Sequence, residues 1–210
     1  TNLFLELNNH CDYRCSYCGD KKVKRLFKCK SCNVWQEDTA EKMDAPSCIK
    51  ILDQATKLAF KQVFLTGGNP FEDCRKLSTL LEYLERTKIP SFVICHEKQI
   101  KRRELDLING YKNLIIVLNC DFPLSHRALE IIACIKQKLH LMIAVNVMDF
   151  GKVEVMRSFE AEMKNIKKDK VSYEINYLLS NLANDYIKIP AFGRERVQDS
   201  NFFLFDWYQQ

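Results

Sequence analysis

The most informative segment of the sequence is Leu3-Phe4-Leu5-Glu6-Leu7-Asn8-Asn9-His10-Cys11-Asp12-Tyr13-Arg14-Cys15-Ser16-Tyr17-Cys18. It opens with an apolar, strand-like run and continues into three cysteines with the spacing C-x3-C-x2-C. Three thiolates on one short loop can hold three corners of a [4Fe-4S] cluster. The fourth iron then lacks a protein ligand and is open to a substrate or cofactor, which indicates chemistry rather than electron storage.

With this spacing the sequence resembles the radical S-adenosylmethionine (radical SAM) superfamily. The resemblance implies that Cys11, Cys15 and Cys18 bind the cluster and that the amino and carboxylate groups of SAM chelate the open iron. It also implies that Tyr17, the aromatic residue before the last cysteine, lies near the adenine. The similarity is to the molybdenum-cofactor and peptide-modifying branch, and it covers the core from about Leu3 to Leu178.

Strand-like and helix-like segments alternate along the chain, which predicts an α/β fold with parallel strands joined by crossover helices. The predicted strands are Leu3 to Leu7, Gln62 to Leu65, Ser91 to Cys95, Leu114 to Asn119, Leu141 to Val147 and Val171 to Leu178. The predicted helices are Ser47 to Phe60, Asp73 to Lys88, Lys98 to Asn109, Leu124 to Lys138 and Val153 to Lys167. The resemblance implies an open six-stranded partial TIM barrel, in which ligands collect at the C-terminal ends of the strands.

Two segments interrupt or follow this alternation within the predicted domain organisation. Residues 1–180 are predicted to form the partial barrel, with 19–46 an inserted loop that carries Cys29 and Cys32. Residues 181–210 form a tail that we expect to dock on the barrel or on a partner, because its aromatic side chains are too apolar to remain in water. These aromatic residues are Phe202, Phe203, Phe205, Trp207 and Tyr208.

A Gly-Gly element, Thr66-Gly67-Gly68-Asn69-Pro70, follows the second predicted strand. Adjacent glycines let the backbone approach a ligand closely and present its amide and carbonyl groups. In the radical SAM family a Gly-Gly-Glu-Pro element at this point binds the amino group of SAM. Asn69 stands here in place of the Glu, so we expect the backbone contacts without the carboxylate. The alternative interpretation is an ordinary glycine turn leading into a helix.

Polar residues near the ends of later strands are further candidates for the site. The resemblance makes Asn119 a candidate for a polar contact to SAM, because the related branch carries Ser-Leu-Asp where this chain has Asn119-Cys120-Asp121. His96 follows the third strand and is a second candidate, although a single histidine there is more often simply hydrogen-bonded. Asn146 on the fifth strand is a candidate neighbour of the adenosine if it faces the barrel mouth, although side-chain alternation could equally place it elsewhere. Glu174 and Asn176 on the sixth strand are candidate substrate contacts by position alone.

A zinc ribbon is the main rival interpretation. Cys15 and Cys18 can be combined with Cys29 and Cys32 as C-x2-C-x10-C-x2-C, which is acceptable for a tetrathiolate zinc site in a binding module. Cys11, the Gly-Gly element and the strand-helix alternation favour radical SAM instead. Under that interpretation Cys29 and Cys32 are candidates for half of a second metal site, zinc or iron-sulfur, and the alternatives are a redox pair or unliganded thiols.

Composition sets the remaining expectations. A chain of 210 residues, 47% of them hydrophobic, can bury the core of one domain. Its net charge of +5 falls in short clusters typical of a solvated surface, so nucleic acid is not an expected partner. With no long apolar run, we expect no membrane association and a cytoplasmic location. The scattered cysteines are expected to be buried thiols without metal: Cys48, Cys74, Cys95, Cys120 and Cys134.

The resemblance therefore implies a cofactor pair and a reaction. A reduced [4Fe-4S] cluster would cleave SAM, and the 5'-deoxyadenosyl radical would abstract hydrogen from a substrate. An electron donor such as flavodoxin or ferredoxin would be required. We expect the substrate to be a peptide or protein side chain, with activation of a glycyl-radical enzyme or a small-molecule reaction as the alternatives. The sequence identifies no catalytic acid or base.

Overall fold

The computed structural model describes residues 2–8, 43–135, 139–148, 157–158, 161–162 and 171–178. They all lie in the compact unit Thr1–Ser180, and the second unit, Asn181–Gln210, holds none of them. The elements are β1 (Asn2–Glu6), α1 (Ala45–Lys57), β2 (Gln62–Thr66), α2 (Cys74–Thr87), β3 (Ser91–His96), a 3-10 turn (Glu97–Gln99), α3 (Arg102–Ile108), β4 (Leu114–Asp121), α4 (His126–Ile135), β5 (His140–Met148) and β6 (Val171–Leu178).

The strands form one parallel sheet in the order β1-β2-β3-β4-β5-β6. The prediction of an α/β fold built on a parallel sheet is therefore confirmed. Parallel pairing brings the C-terminal ends of the strands to one edge. At that edge His96 lies opposite Asn119, and Asp121 lies opposite Asn146, which in turn lies opposite Asn176.

The two faces of the sheet have different partners because side chains alternate along each strand. One face packs against the helices and forms the core, together with helix residues such as Leu52, Leu80 and Ile131. From the sheet this core includes Leu5 and, just beyond the end of β1, Leu7, together with Val63, Leu65, Val93, Cys95, Leu114, Ile116, Leu118, Cys120, Leu141, Ile143 and Val145.

Three phenylalanines stack on the other face, across the first three strands. Phe4, Phe64 and Phe92 occupy facing positions of β1, β2 and β3. Their ring centroids are 4.5 Å apart between Phe4 and Phe64, and 4.3 Å apart between Phe64 and Phe92. Offset stacking of this kind adds about 0.5–1.5 kcal/mol per pair beyond simple burial. The stack places an apolar layer below the polar C-terminal edge.

The predicted helix from Lys98 to Asn109 is wrong as a single element. The structure has a 3-10 turn that ends at Gln99, then the extended residue Ile100 (φ −92°, ψ 116°), and only then α3. Ile100 leaves the helical path because its side chain is buried, with 1% exposure. A new helix starts after it, where the Lys101 amide donates to Oε2 of Glu104 at 3.0 Å.

Other boundaries differ by a few residues at helix ends, where capping decides the limits. α1 begins at Ala45, since the Oδ1 atom of Asp44 accepts the Ser47 amide at 2.8 Å.

Within the predicted helix Val153 to Lys167 the structure describes residues 157–158 and 161–162, and these are helical. The insertion up to residue 42 and the tail 181–210, with its expected docking, lie outside the described residues. Among the described helices, none combines the length and apolar character needed for a bilayer crossing.

A buried lysine joins the two described ends that flank residues 9–42. Lys76, in the first turn of α2, is 8% exposed. Its Nζ donates to the carbonyl of Leu7 at 2.9 Å and to the carbonyl of Met43 at 3.0 Å. Charge-assisted hydrogen bonds of this kind are stronger than neutral ones. One ammonium group thus holds the entry and the exit of the cysteine-bearing segment beside α2.

We expect Lys76→Met to lower the free energy of unfolding by about 1–3 kcal/mol, because it leaves two buried carbonyls without a donor. Lys50→Met is the matched control, since Lys50 is exposed on α1. Urea unfolding of both variants measures the difference. Equal stability of Lys76→Met, Lys50→Met and the unchanged protein would show that the two hydrogen bonds contribute nothing.

Candidate functional site

The Gly-Gly loop after β2 lies against the end of β1. Gly67 is buried and has φ +144°, a conformation that favours glycine. A Cβ atom at Gly67 would lie 2.7 Å from the carbonyl oxygen of Asn8, which is closer than real Cβ atoms approach. Glycine at this position is therefore required by backbone conformation and by the close approach of Asn8.

Asn8 holds the loop from the β1 side through both its backbone and its side chain. Its carbonyl accepts the Gly68 amide at 3.0 Å. Its Nδ2 donates to the Asn69 carbonyl at 2.8 Å, and its Oδ1 accepts the Asn69 amide at 3.3 Å. The side-chain amide of Asn8 thus pairs with the backbone amide and the carbonyl of Asn69, as a backbone amide and carbonyl of an adjacent strand would.

Gln99 holds the same loop from the β3 side. Its Nε2 donates to the Gly68 carbonyl at 2.6 Å, and its Oε1 accepts the His96 amide at 2.9 Å. Because a carbonyl only accepts and an amide N–H only donates, these partners fix which end of the side-chain amide is which. Gln99 is 4% exposed, so both bonds are shielded from water.

These contacts leave the loop with few backbone groups for a ligand. The amide and carbonyl groups of Gly68 and Asn69 all have protein partners. Within the described part of the chain, the Gly67 carbonyl accepts no hydrogen bond. The Asn69 side chain also turns back on the chain, since its Oδ1 accepts the Phe71 amide at 3.1 Å. Asn69 therefore caps the turn into α2 with the atom that replaces the carboxylate of the family motif.

His96 is buried at the end of β3, with both ring nitrogens engaged. Nδ1 accepts the Lys98 amide at 3.2 Å, so the ring proton is on Nε2, which lies 3.3 Å from Oδ1 of Asp121. Oδ2 of Asp121 in turn accepts Nζ of Lys98 at 2.9 Å. The polar groups of His96 are thus directed at protein partners, and the partly exposed groups at this point belong to Asp121 and Lys98.

The other predicted residues lie at the same edge and differ in their described hydrogen bonds. Thr66 is fully buried, and its carbonyl accepts the Leu7 amide at 2.8 Å. Asn119 is 2% exposed and donates from Nδ2 to the Cys95 carbonyl at 3.2 Å. Pro70 is buried after the loop, and Asn146 occupies the strand position opposite Asp121. The structure therefore gathers the Gly-Gly loop, His96 and Asn119 at one edge of the sheet.

The cysteines divide into those outside and those inside the described residues. Cys11, Cys15, Cys18, Cys29 and Cys32, with Tyr17, lie outside them. Burial raises the pKa of the Cys95 and Cys120 thiols well above the usual range, and it also raises the pKa of Cys48 and Cys74. High thiol pKa values disfavour the thiolate that metals need. Cys74 is half-buried and Cys134 is exposed, so the expectation of burial is wrong for these two cysteines. The described residues contain no group of three or more side chains placed to hold a metal ion.

Sequence reasoning missed several residues that position this edge. Asn8, Gln99 and Asp121 supply most of its hydrogen bonds, and none of them was singled out as a ligand. Gln99 was hidden inside a predicted helix. Their position in the sequence could have identified them. Each of the three is a polar residue that closely follows a predicted strand, and ligands of parallel sheets bind beyond the C-terminal ends of the strands.

Comparison with known proteins adds information at the level of the fold. No protein-family model matches the sequence, and no curated protein matches it. The crystal structure of Streptococcus suis SuiB bound to precursor peptide SuiA is similar, with a TM-score of 0.59 and 18% identity over 83% of this chain and 39% of that chain. SuiB bound to S-adenosylmethionine gives a TM-score of 0.53 at 16% identity, covering 83% of this chain and 50% of that chain.

A third similar structure is the radical S-adenosylmethionine methyltransferase TsrM from Kitasatospora setae, with cobalamin and a [4Fe-4S] cluster bound. Its TM-score is 0.53 at 10% identity, over 83% of this chain and 36% of that chain. The chain thus spans half or less of the length of these three structures. At such identities the likeness establishes the fold: this chain has the α/β fold found in a radical SAM methyltransferase and in the SAM-bound protein SuiB.

Proposed function

We propose that the protein is a radical SAM enzyme that binds a [4Fe-4S] cluster through Cys11, Cys15 and Cys18 and binds SAM at the Gly-Gly loop. The observation that carries this proposal is the packing of Gly67 and Gly68 against Asn8, at the C-terminal edge of a parallel sheet. Asn8 precedes Cys11 by only three residues. The loop and the cysteine run are therefore joined at one point of the fold.

Chain length limits how far the first cysteine can lie from the loop. A fully extended chain spans at most about 3.6 Å per residue, so the three residues that follow Asn8, the last of them Cys11, can span at most about 11 Å. Lys76 brings Met43, after the cysteine segment, to the same strand end as Leu7. Both covalent connections of the segment thus start beside the loop proposed to bind SAM.

The free acceptors at this edge fit the amino group of SAM. The Gly67 carbonyl is unoccupied by hydrogen bonds from described residues, and Oδ1 of Asn119 likewise has no described donor while its Nδ2 is held by Cys95. Acceptors suit an ammonium group, which carries only donors. Tyr17 and Asn146 remain the proposed neighbours of the adenosine. His96 contributes behind Asp121 rather than by direct contact.

When bound, the cluster and SAM would supply a 5'-deoxyadenosyl radical that removes hydrogen from the substrate. The chain's own contribution is to position the cofactors and the substrate and to exclude water from the site. The stacked rings of Phe4, Phe64 and Phe92 form an apolar layer on the face opposite the helices, below the polar edge. An apolar lining keeps water from a reactive species. We propose that the sheet curves around this layer as an open partial barrel.

The proposed substrate is a peptide or protein side chain. Support comes from SuiB, whose similar structure holds a precursor peptide. An electron donor such as flavodoxin or ferredoxin would reduce the cluster. Addition of candidate peptides to the loaded enzyme, with formation of 5'-deoxyadenosine as the readout, tests the assignment. If only a glycyl-radical enzyme or only a small metabolite stimulates 5'-deoxyadenosine formation, the substrate is that molecule and the peptide assignment is wrong.

We expect Cys15→Ala to abolish both the [4Fe-4S] absorbance after anaerobic reconstitution and the formation of 5'-deoxyadenosine from SAM, because one of three cluster ligands is lost. Cys134→Ala is the matched control, since Cys134 is exposed and should leave both signals unchanged. Iron and zinc analysis of anaerobically purified protein completes the test. Zinc without iron, lost equally in Cys15→Ala and Cys29→Ala, would establish the zinc ribbon instead.

A second prediction concerns the loop. Gly67→Ala should weaken SAM binding at least tenfold, because its Cβ would collide with the Asn8 carbonyl and its φ is strained for alanine. Gly110→Ala is the control, where the nearest atom to a new Cβ is the Leu107 carbonyl oxygen at 3.3 Å. Titration of the reduced, cluster-loaded proteins with SAM, followed by EPR, measures the affinity. Unchanged affinity in Gly67→Ala would remove the loop from the SAM site.

A further inference from the structure

Two carboxamide side chains hold the Gly-Gly loop between them. They follow β1 and β3, the two strands that flank β2 in the sheet. Asn8 approaches from the end of β1 and pairs with Asn69, while Gln99 approaches from beyond β3 and binds the Gly68 carbonyl. Both side chains are buried, each with 4% exposure, and the two described hydrogen bonds of the Gln99 side chain join it to backbone groups. Gln99 spans the gap between adjacent strand ends with one side chain.

The Gly68 carbonyl is held by this contact, through the 2.6 Å hydrogen bond from Nε2 of Gln99. Asn8 restrains the amide groups on either side of that carbonyl, since the Gly68 amide donates to its carbonyl at 3.0 Å and the Asn69 amide donates to its Oδ1 at 3.3 Å. Without Gln99, the loop would keep only the restraints from Asn8, and the Gly68 carbonyl would lose its described donor. Glycines offer little steric resistance to backbone rotation. A loop of two glycines therefore needs an external group to hold one conformation.

Gln99 is also connected to the end of β4 through His96. Its Oε1 accepts the His96 amide, and His96 contacts Asp121 on β4 through Nε2. The 3-10 turn that contains Gln99 ends before Ile100, whose burial anchors the turn to the core. Gln99 thus projects from a turn anchored to the core, and its side chain is hydrogen-bonded to the last residue of β3, as a positioning group requires.

We propose that Gln99 is a positioning residue for SAM binding, which holds the Gly-Gly loop in its ligand-binding conformation through the Gly68 carbonyl. This inference rests on the proposed function, because it assigns SAM to the same loop. Gln99 does not itself contact the ligand. It acts through the backbone, with Asn8 restraining the loop from the other side.

Two substitutions separate the two hydrogen bonds of Gln99. Gln99→Glu keeps an acceptor for the His96 amide but places a carboxylate oxygen against the Gly68 carbonyl. Gln99→Met has a similar length and loses both bonds while remaining uncharged, so it also serves if the glutamate variant does not fold. Gln54→Glu is the matched control, because Gln54 is exposed on α1.

The first measurement needs no cofactor. Hydrogen-deuterium exchange of the protein before cluster loading should show faster exchange of the His96 amide in Gln99→Met, and unchanged exchange in Gln99→Glu and Gln54→Glu. The second measurement is titration of the reduced, cluster-loaded proteins with SAM. Both Gln99 variants should bind SAM at least tenfold more weakly, and the KM for SAM in 5'-deoxyadenosine formation should rise while kcat changes less than threefold.

The outcomes distinguish this inference from the function on which it rests. If the unchanged protein takes up a cluster and binds SAM, and both Gln99 variants bind SAM equally well, the positioning role is wrong and the function stands. A loss in kcat with an unchanged KM would also overturn it. If the unchanged protein takes up no cluster and binds no SAM, the proposed function fails and the SAM role of Gln99 fails with it.

Discussion

The close approach of two backbones at Gly67 and Asn8 is the constraint on which the site depends. β1 and β2 are paired through Glu6 and Thr66, and the chain continues beyond both strands in contact, with the Leu7 amide bonded to the Thr66 carbonyl and the Gly68 amide bonded to the Asn8 carbonyl. A side chain at Gly67 would separate them. Because the cysteine run starts three residues after Asn8, this contact also fixes where the segment proposed to bind the cluster leaves the sheet. Under the proposed function, the position of this one loop would therefore constrain the positions of both cofactors.

The sheet can support such a site because its two faces are chemically distinct. The helix-facing side chains are aliphatic almost throughout, and they bury the sheet against α1 to α4. The opposite face begins with stacked phenylalanines and ends with polar groups, among them His96 and Asn119, which lie side by side on β3 and β4. A rigid aliphatic layer on one side allows the other side to carry buried polar groups that would otherwise destabilise the fold, provided that each is hydrogen-bonded. The contacts of His96 with Lys98 and Asp121 meet that condition.

The sequence predicted the parts of this fold that depend on local pattern. The strands of a parallel sheet are continuous apolar runs, so Gln62–Thr66 and Leu114–Asp121 were located within a few residues. The break between Gln99 and α3 was missed, because it depends on the burial of Ile100 and on a hydrogen bond to Gly68, which is 31 residues away. Lys76 was missed for the same reason, since its partners Leu7 and Met43 are distant in sequence. In the site, residue types at strand ends were predictable, whereas the direction of each polar group was not.

If the Gly-Gly element binds SAM as proposed, Asn69 in place of the Glu of the radical SAM motif changes what the loop must do. A glutamate at position 69 would add a negative charge that attracts an ammonium group, and it would tolerate some error in the loop backbone because charge attraction falls off slowly with distance. Asn69 has no such charge, and its Oδ1 is committed to the Phe71 amide. In the proposed SAM site, recognition of the ammonium group would then rest on backbone and amide oxygens, whose hydrogen bonds depend on direction as well as distance. A site of this kind tolerates little rotation of the loop. It gives a physical reason for the restraint of the loop on both sides, by Asn8 and by Gln99.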